Sequence, residues 1–136
     1  MAVLMTWTPD LSVHVDKIDD QHKELFQRFG QIEDAIWDGR GKDEVGEIIN
    51  FMTDYTIFHF GDEEAIMKQH NYPGYAAQKQ AHEYFTTEVR QMKARFDAGE
   101  ITSGLVVEVI DTLGGWFKNH IKIMDKELGT FLQGKG

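Results

Sequence analysis

Residues 55–85 read YTIFHFGDEEAIMKQHNYPGYAAQKQAHEYF, and this stretch contains two helical patterns separated by one turn. The inward side chains before the turn recur every three or four residues: Tyr55, His59, Glu63 and Ile66. The same spacing continues after the turn, at Gln78, His82 and Phe85. The turn itself is Asn71-Tyr72-Pro73-Gly74, in which proline and glycine both oppose the continuation of a helix. The pattern therefore predicts two amphipathic helices that fold back on each other.

Two further breaks divide the rest of the chain into helical lengths. One is Gly39-Arg40-Gly41, and the other runs from Ala98 to Gly104. Four segments with helical periodicity remain, at about Asp19–Asp38, Lys42–Gln69, Tyr75–Ala98 and Ser103–Leu132. Short connections between long amphipathic helices favour an all-α fold, an up-down-up-down antiparallel four-helix bundle. We expect a single domain over residues 1–136, with an N-terminal arm at 1–18 and the bundle at 19–132.

The composition argues against a nucleic-acid partner and against a membrane span. The chain has 23 acidic and 14 basic residues and a formal net charge of -9, whereas phosphate binding needs clustered lysine and arginine. The chain contains no apolar run long enough to span a bilayer, and residues 1–18 lack the pattern of a signal peptide. The absence of cysteine excludes disulfides, thiolate metal sites and a cysteine nucleophile, and it fits a cytoplasmic location.

Four histidines lie on helix faces that would otherwise be apolar. Each is 17 residues from a helix end: His22 before Gly39, His59 after Lys42, His82 before Gly99 and His120 after Ser103. At a rise of about 1.5 Å per residue, each imidazole lies about 25 Å from the same end of an antiparallel bundle. A single buried histidine is commonly satisfied by a hydrogen bond, but four at one level indicate a metal site.

Two carboxylates belong to the same level. Glu63 lies one turn after His59 on the same helix face, in a His-x3-Glu pattern. Asp125 follows His120 in a His-x4-Asp pattern, so in a regular α-helix it is rotated from that face and reaches sideways. A buried carboxylate needs a partner, and six candidate ligands are more than one ion usually takes from a protein. Nitrogen and oxygen ligands without sulfur suit iron, manganese or zinc, and we expect the carboxylates to bridge two such ions.

In combination, these motifs resemble the hemerythrin family. The resemblance is carried by Asp19-Asp20-Gln21-His22-Lys23-Glu24-Leu25-Phe26, His59-Phe60-Gly61-Asp62-Glu63-Glu64, Tyr72-Pro73-Gly74-Tyr75, His82 and Trp116-Phe117-Lys118-Asn119-His120 with Asp125. It covers nearly the whole chain, including the arm that holds Trp7, and it is greatest to single-domain bacterial hemerythrins.

Membership of that family implies a non-haem di-iron centre that binds O2 reversibly. By the resemblance, His22 and His59 would ligate one iron and leave it an open position for O2. His82 and His120 would ligate the other iron. Glu63 and Asp125 would bridge the two Fe ions, together with an oxo or hydroxo group.

One position departs from the family's pattern. The family normally has His-x3-His on the third helix, and here the pair is Gln78 and His82. An amide oxygen is a weaker ligand than an imidazole, so three outcomes stay open: Gln78 ligates through its carbonyl, water fills the position, or that iron is lost. His14 lies in the arm, and His70 lies beside the Asn71-Tyr72-Pro73-Gly74 turn. We expect both to face solvent or to serve as packing residues, and not to replace the missing ligand.

Phe117 lies three residues before His120, where the resembled family often has leucine. Two roles stay open for it, lining the O2 pocket and ordinary core packing. Other phenylalanines are expected to lie in the core and keep the site dry: Phe26, Phe29, Phe51, Phe58, Phe85 and Phe96.

The first functional prediction is reversible O2 binding by a protein that is not an enzyme, for carriage, storage, delivery or sensing. One alternative is an oxidase or peroxidase-like enzyme, opened up by Gln78. Another is an iron-binding protein with an incomplete centre. We expect a monomer, and a protein partner for O2 delivery or signalling is left open.

Overall fold

The computed structural model describes residues 6–135, and within them the chain forms four long helical runs and no strand. α1 spans Asp16–Trp37, α2 spans Gly41–Gln69 and α3 spans Tyr75–Asp97. The fourth run, α4, covers residues 103–135 without interruption. The predicted all-α, antiparallel four-helix bundle is therefore confirmed. Across residues 6–135, no helix is both long enough and apolar enough to cross a membrane.

The three connections fall at the breaks that the sequence predicted. Gly39 follows α1 with a φ of 76°, and Gly99 follows α3 with a φ of 95°, a left-handed conformation that glycine adopts without steric strain. Asn71 turns the chain after α2 with a φ of 51°. Thr102 starts α4, because its side-chain oxygen accepts a hydrogen bond from the amide of Leu105 at 3.1 Å. Turns this short place consecutive helices side by side and antiparallel.

One buried carboxylate ties the N-terminal arm to α1. Asp19 accepts hydrogen bonds from the hydroxyl of Ser12 at 2.6 Å and from the amide of Val13 at 2.8 Å. The helix itself begins at Asp16, three residues before the predicted start at Asp19. It begins there because Val15 is the last extended residue and because acidic side chains in the first turn are favourable at the positive end of the helix dipole.

α4 changes helical type along its length. It is α-helical at Ser103–Glu108, Gly115–His120 and Lys126–Lys135. The two segments between them, Val109–Gly114 and Ile121–Asp125, are π-helical. A π-helical turn bonds each amide to the carbonyl five residues back. It therefore changes which of the following side chains face the bundle interior.

Most of the phenylalanines that the sequence assigned to the core lie there. Phe26, Phe29 and Phe85 are fully buried, and Phe51 and Phe96 are partly buried against the core.

Phe58 is 53% exposed, so its assignment to the core is wrong. It directly precedes His59. Adjacent residues on a helix point about 100° apart, so only one of the two can face the centre of the bundle.

Candidate metal centre

The four predicted histidines meet in one layer of the bundle. One comes from each helix, His22 from α1, His59 from α2, His82 from α3 and His120 from α4, and all four are buried. The imidazole centroids are 4.7 Å apart for His22 and His59 and 5.2 Å apart for His82 and His120. The equal spacing from the helix ends therefore brings the imidazole rings of each pair into contact.

Glu63 and Asp125 lie between the two pairs of rings, and neither is exposed to solvent. Asp125 places Oδ2 3.2 Å from Nε2 of His22 and Oδ1 3.3 Å from Nε2 of His120. Glu63 places Oε2 3.5 Å from Nε2 of His22 and Oε1 3.3 Å from Nε2 of His82. Its Oε1 is also 3.6 Å from Nε2 of His59. Each carboxylate therefore reaches histidines of both pairs.

These atoms are close to one another, but they are not aligned as hydrogen bonds. Across residues 6–135, Nε2 of all four histidines, both oxygens of Glu63 and Oδ2 of Asp125 have no hydrogen-bond partner. Buried polar atoms without partners are uncommon, and imidazole nitrogens and carboxylate oxygens that converge in a buried layer are suited to coordinate a cation.

The candidate ligands form two overlapping groups of four. His22, His59, Glu63 and Asp125 make one group, and Glu63, His82, His120 and Asp125 make the other. In each group the ligand atoms all lie within 4.8 Å of one another. The residues present therefore fit two metal ions, with both carboxylates common to the two.

The second π-helical segment of α4 brings Asp125 into this layer. Asp125 was predicted to lie sideways from His120, because five residues exceed one turn of an α-helix. Ile121–Asp125 is π-helical, and in such a segment residues five apart lie near the same face. The predicted sideways orientation of Asp125 is therefore corrected. The five-residue separation between His120 and Asp125 was the one sequence feature that could have indicated a π-helical segment.

Two side chains outside the layer orient the imidazoles. Nδ1 of His59 is 2.7 Å from Oε1 of Gln21, and Nδ1 of His82 is 2.9 Å from Oε2 of Glu64. Because these oxygens are acceptors, Nδ1 carries the proton and Nε2 presents its lone pair to the centre. Gln21 is held in turn by a hydrogen bond from its Nε2 to Oδ2 of Asp62 at 2.7 Å. Neither orienting residue was predicted from the sequence, although each is adjacent in sequence to a candidate ligand.

Burial and the carboxylates move the histidine pKa values in opposite directions. Burial alone would lower the pKa of His22, but contacts with Asp125 and Glu63 raise that pKa to about 9. Burial lowers the pKa of His59 to about 4. Burial opposes ionisation of Asp125, but the neighbouring His120 and His22 hold the pKa of this carboxyl well below its usual range. The two carboxylates therefore favour the protonated form of His22, whereas burial favours the neutral form of His59.

Phe117 closes the side of the layer formed by His22 and His59. Its ring is fully buried, and its centroid is 5.6 Å from that of His22 and 6.2 Å from that of His59. It also packs against Phe26 at 5.8 Å. This position leaves both predicted roles of Phe117 open.

The remaining predicted positions lie partly in the layer and partly outside it. Gln78 is buried there, and its Nε2 donates a hydrogen bond to Oδ1 of Asp125 at 2.9 Å. His14 is exposed and His70 is half-buried, and neither belongs to the two groups of candidate ligands.

Known proteins share this chain's sequence pattern and fold. The family model of the hemerythrin HHE cation binding domain matches residues 13–132. A bacteriohemerythrin of Stenotrophomonas maltophilia is 36% identical over 119 residues, which are 88% of this chain and 75% of that protein. A bacteriohemerythrin of Methylococcus capsulatus is 31% identical over 130 residues, 95% of this chain and 97% of that protein. A crystal structure of wild-type hemerythrin matches with a TM-score of 0.79 at 30% identity and covers 94% of this chain and 97% of that one.

Proposed function

Because this chain belongs to the hemerythrin family, we propose that it binds O2 reversibly at a non-haem di-iron centre. The proposed iron ligands are His22, His59, Glu63, His82, His120 and Asp125. The observation that carries the proposal is the convergence of their buried nitrogen and oxygen atoms in two groups, because most of these atoms have no hydrogen-bond partner in the described part of the chain. Imidazole and carboxylate ligands without sulfur suit iron.

Two iron ions, when bound, would supply the redox-active pair at which O2 is taken up and released. The chain prepares the imidazoles for this role through the acceptors that hold their outer nitrogens. Gln21 holds His59 and Glu64 holds His82, so that each Nε2 lone pair stays directed into the layer. These contacts fix the ring orientations in advance, and binding then requires little rearrangement.

The carboxylates and the aromatic wall complete the site. Glu63 and Asp125 supply two negative charges that offset the charge of the metal ions in a low-dielectric interior. Phe117 and Phe26 exclude water from the side of His22 and His59, where we propose that O2 enters. Exclusion of water protects a bound ligand from proton-assisted side reactions.

We propose that the protein carries, stores or senses O2 without turning over a substrate. The monomeric state, the cytoplasmic location and a separate partner for delivery or signalling stay predictions from the sequence.

Anaerobic reconstitution with iron tests this function. About two irons per chain are expected, with an optical spectrum that changes on O2 exposure and reverts when O2 is removed. His59→Ala should lose iron and the spectral change, whereas His70→Ala should keep both, because His70 lies outside the groups of candidate ligands. Uptake of zinc without any affinity for iron, or a spectrum that O2 changes irreversibly, would refute the proposal.

Gln78 favours a second function, because it places no imidazole beside His82 and its amide nitrogen is engaged by Asp125. Iron on that side could then accept peroxide and act as an oxidase or a peroxidase-like enzyme. Sustained H2O2-dependent oxidation of a dye by the iron-loaded chain, suppressed in Gln78→His, would support it. An iron content near one per chain, with neither turnover nor reversible O2 binding, would indicate an incomplete centre.

A further inference from the structure

The side chain of Gln78 lies in the metal layer, the level of the bundle that holds the six candidate ligands, but it belongs to neither set of four ligands. It lies on α3, one turn before His82, and is 1% exposed. Its Nε2 donates a hydrogen bond to Oδ1 of Asp125 at 2.9 Å. Its Oε1 is buried, and no described residue donates a hydrogen bond to it.

The charge of Asp125 decides which end of the Gln78 amide faces it. An ionised carboxylate accepts hydrogen bonds and cannot donate one, so it requires the NH2 group on the facing side. Exchange of the amide nitrogen and oxygen would place two acceptor oxygens 2.9 Å apart, with no proton between them. The position beside Oδ1 is therefore occupied by a nitrogen that donates hydrogen bonds and does not ligate metals.

The same hydrogen bond holds a carboxylate that both candidate metal ions share. Oδ1 of Asp125 is also the oxygen 3.3 Å from Nε2 of His120. A carboxylate oxygen has lone pairs for both a metal ion and an N–H donor. Hydrogen bonds to metal-ligating carboxylates orient them, and their loss typically weakens metal binding by about 10–100-fold.

We propose that Gln78 is a positioning residue for Asp125 and not a metal ligand, and that the metal ion beside His82 and His120 consequently keeps a position open to a small exogenous ligand, in addition to the open position proposed on the ion beside His22 and His59. This inference rests on the metal centre proposed above. Each ion receives two imidazoles and the two shared carboxylates, a class of donor set that commonly leaves open positions. Covalent amide geometry places Oε1 of Gln78 within about 5.5 Å of Oδ1, where it can accept a hydrogen bond from solvent in that position.

The open coordination positions of the metal ions can be counted on the cobalt-loaded chain, and this measurement does not depend on O2 chemistry. Cobalt(II) binds nitrogen and oxygen sites more tightly than iron(II) does, and its visible spectrum reports ligand exchange. Azide titration is expected to give two azides per two cobalt ions in the unaltered chain. In Gln78→His it should give one, because the imidazole fills a position. Gln80→His is the matched control, since Gln80 is exposed on the same helix, and it should still take two.

A second measurement tests the positioning role without any metal. Gln78→Met keeps the side-chain length but removes the donor to Asp125. The melting temperature of the metal-free chain should therefore fall by about 3–10 °C, whereas Gln80→Met should leave it unchanged. The dissociation constant for cobalt should rise about 10–100-fold in Gln78→Met.

The outcomes separate this inference from the function on which it rests. One azide in both the unaltered chain and Gln78→His would overturn the inference, because Gln78 would then ligate through its carbonyl. An unchanged metal-free melting temperature in Gln78→Met would refute the positioning role. Fewer than two cobalt ions in the unaltered chain would refute the metal centre itself, before any azide is added.

Discussion

Removal of the metal ions should lower the melting temperature of this bundle by an amount that follows from its size. The 136 residues, at about 2.1 cal/mol/K each, correspond to an unfolding entropy of about 0.29 kcal/mol/K. A metal that binds only the folded chain adds about 4 kcal/mol to the unfolding free energy when its free concentration is a thousandfold above Kd. The loaded chain should therefore melt about 14 °C above the metal-free chain.

Glu63 is the side chain on which this difference depends most, because it belongs to both groups of candidate ligands and is fully buried. Glu63→Gln keeps the shape and removes the charge. It should leave the metal-free chain folded while reducing the metal-induced increase in melting temperature by more than half. Asp54→Asn is the matched control on α2, since Asp54 is exposed, and it should keep the full increase.

Differential scanning calorimetry under anaerobic conditions, with and without iron(II), measures both quantities. Equal melting temperatures for the metal-free and the loaded chain would refute the reasoning, because the buried carboxylates would then gain nothing from a cation. A full increase in Glu63→Gln would show that Glu63 does not ligate the metal ions.

Three further predictions concern the metal-free chain and can be measured by urea denaturation. Phe117→Ala should lower the unfolding free energy by about 3–5 kcal/mol, because the ring is fully buried, and a loss below about 1 kcal/mol would contradict its place in the core. The unfolding free energy should be highest near pH 6.5. It should fall as the pH decreases toward 4, because His59 has a lowered pKa in the folded chain and takes up a proton on unfolding. It should also fall as the pH rises through about 9, because His22 has a raised pKa in the folded chain and loses its proton there. A flat profile between these limits would be inconsistent with the two opposite shifts. Asp19→Ala should lower the unfolding free energy by about 1–3 kcal/mol, because the amide of Val13 loses a buried acceptor, and no loss would mean that the arm is held by other contacts.

The helices, the turns and the level of the histidines were predictable because each depends on local chemistry. Clusters of glycine, proline and asparagine between periodic segments favour a turn, and they mark the ends of the helices here. Equal spacing from those ends then places one imidazole of each helix at the same height. The error at Phe58 has a local origin too. The helical period does not specify which of two adjacent large residues faces the core, and here the buried position is occupied by His59 and not by Phe58.

The candidate metal ligands were predictable from the chain, because residue types and their distances from the helix ends do not depend on how the helices pack. The orientations of Asp125 and of the Gln78 amide, in contrast, depend on the folded structure. Asp125 faces the centre because α4 adopts a π-helical segment at Ile121–Asp125, a local change of helical type that the α-helical periodicity of the sequence did not predict. The amide of Gln78 is oriented by Asp125, which is 47 residues away along the chain. The donor or acceptor role of an amide depends on the partner it meets, and that partner is brought to it only by the packing of α3 against α4.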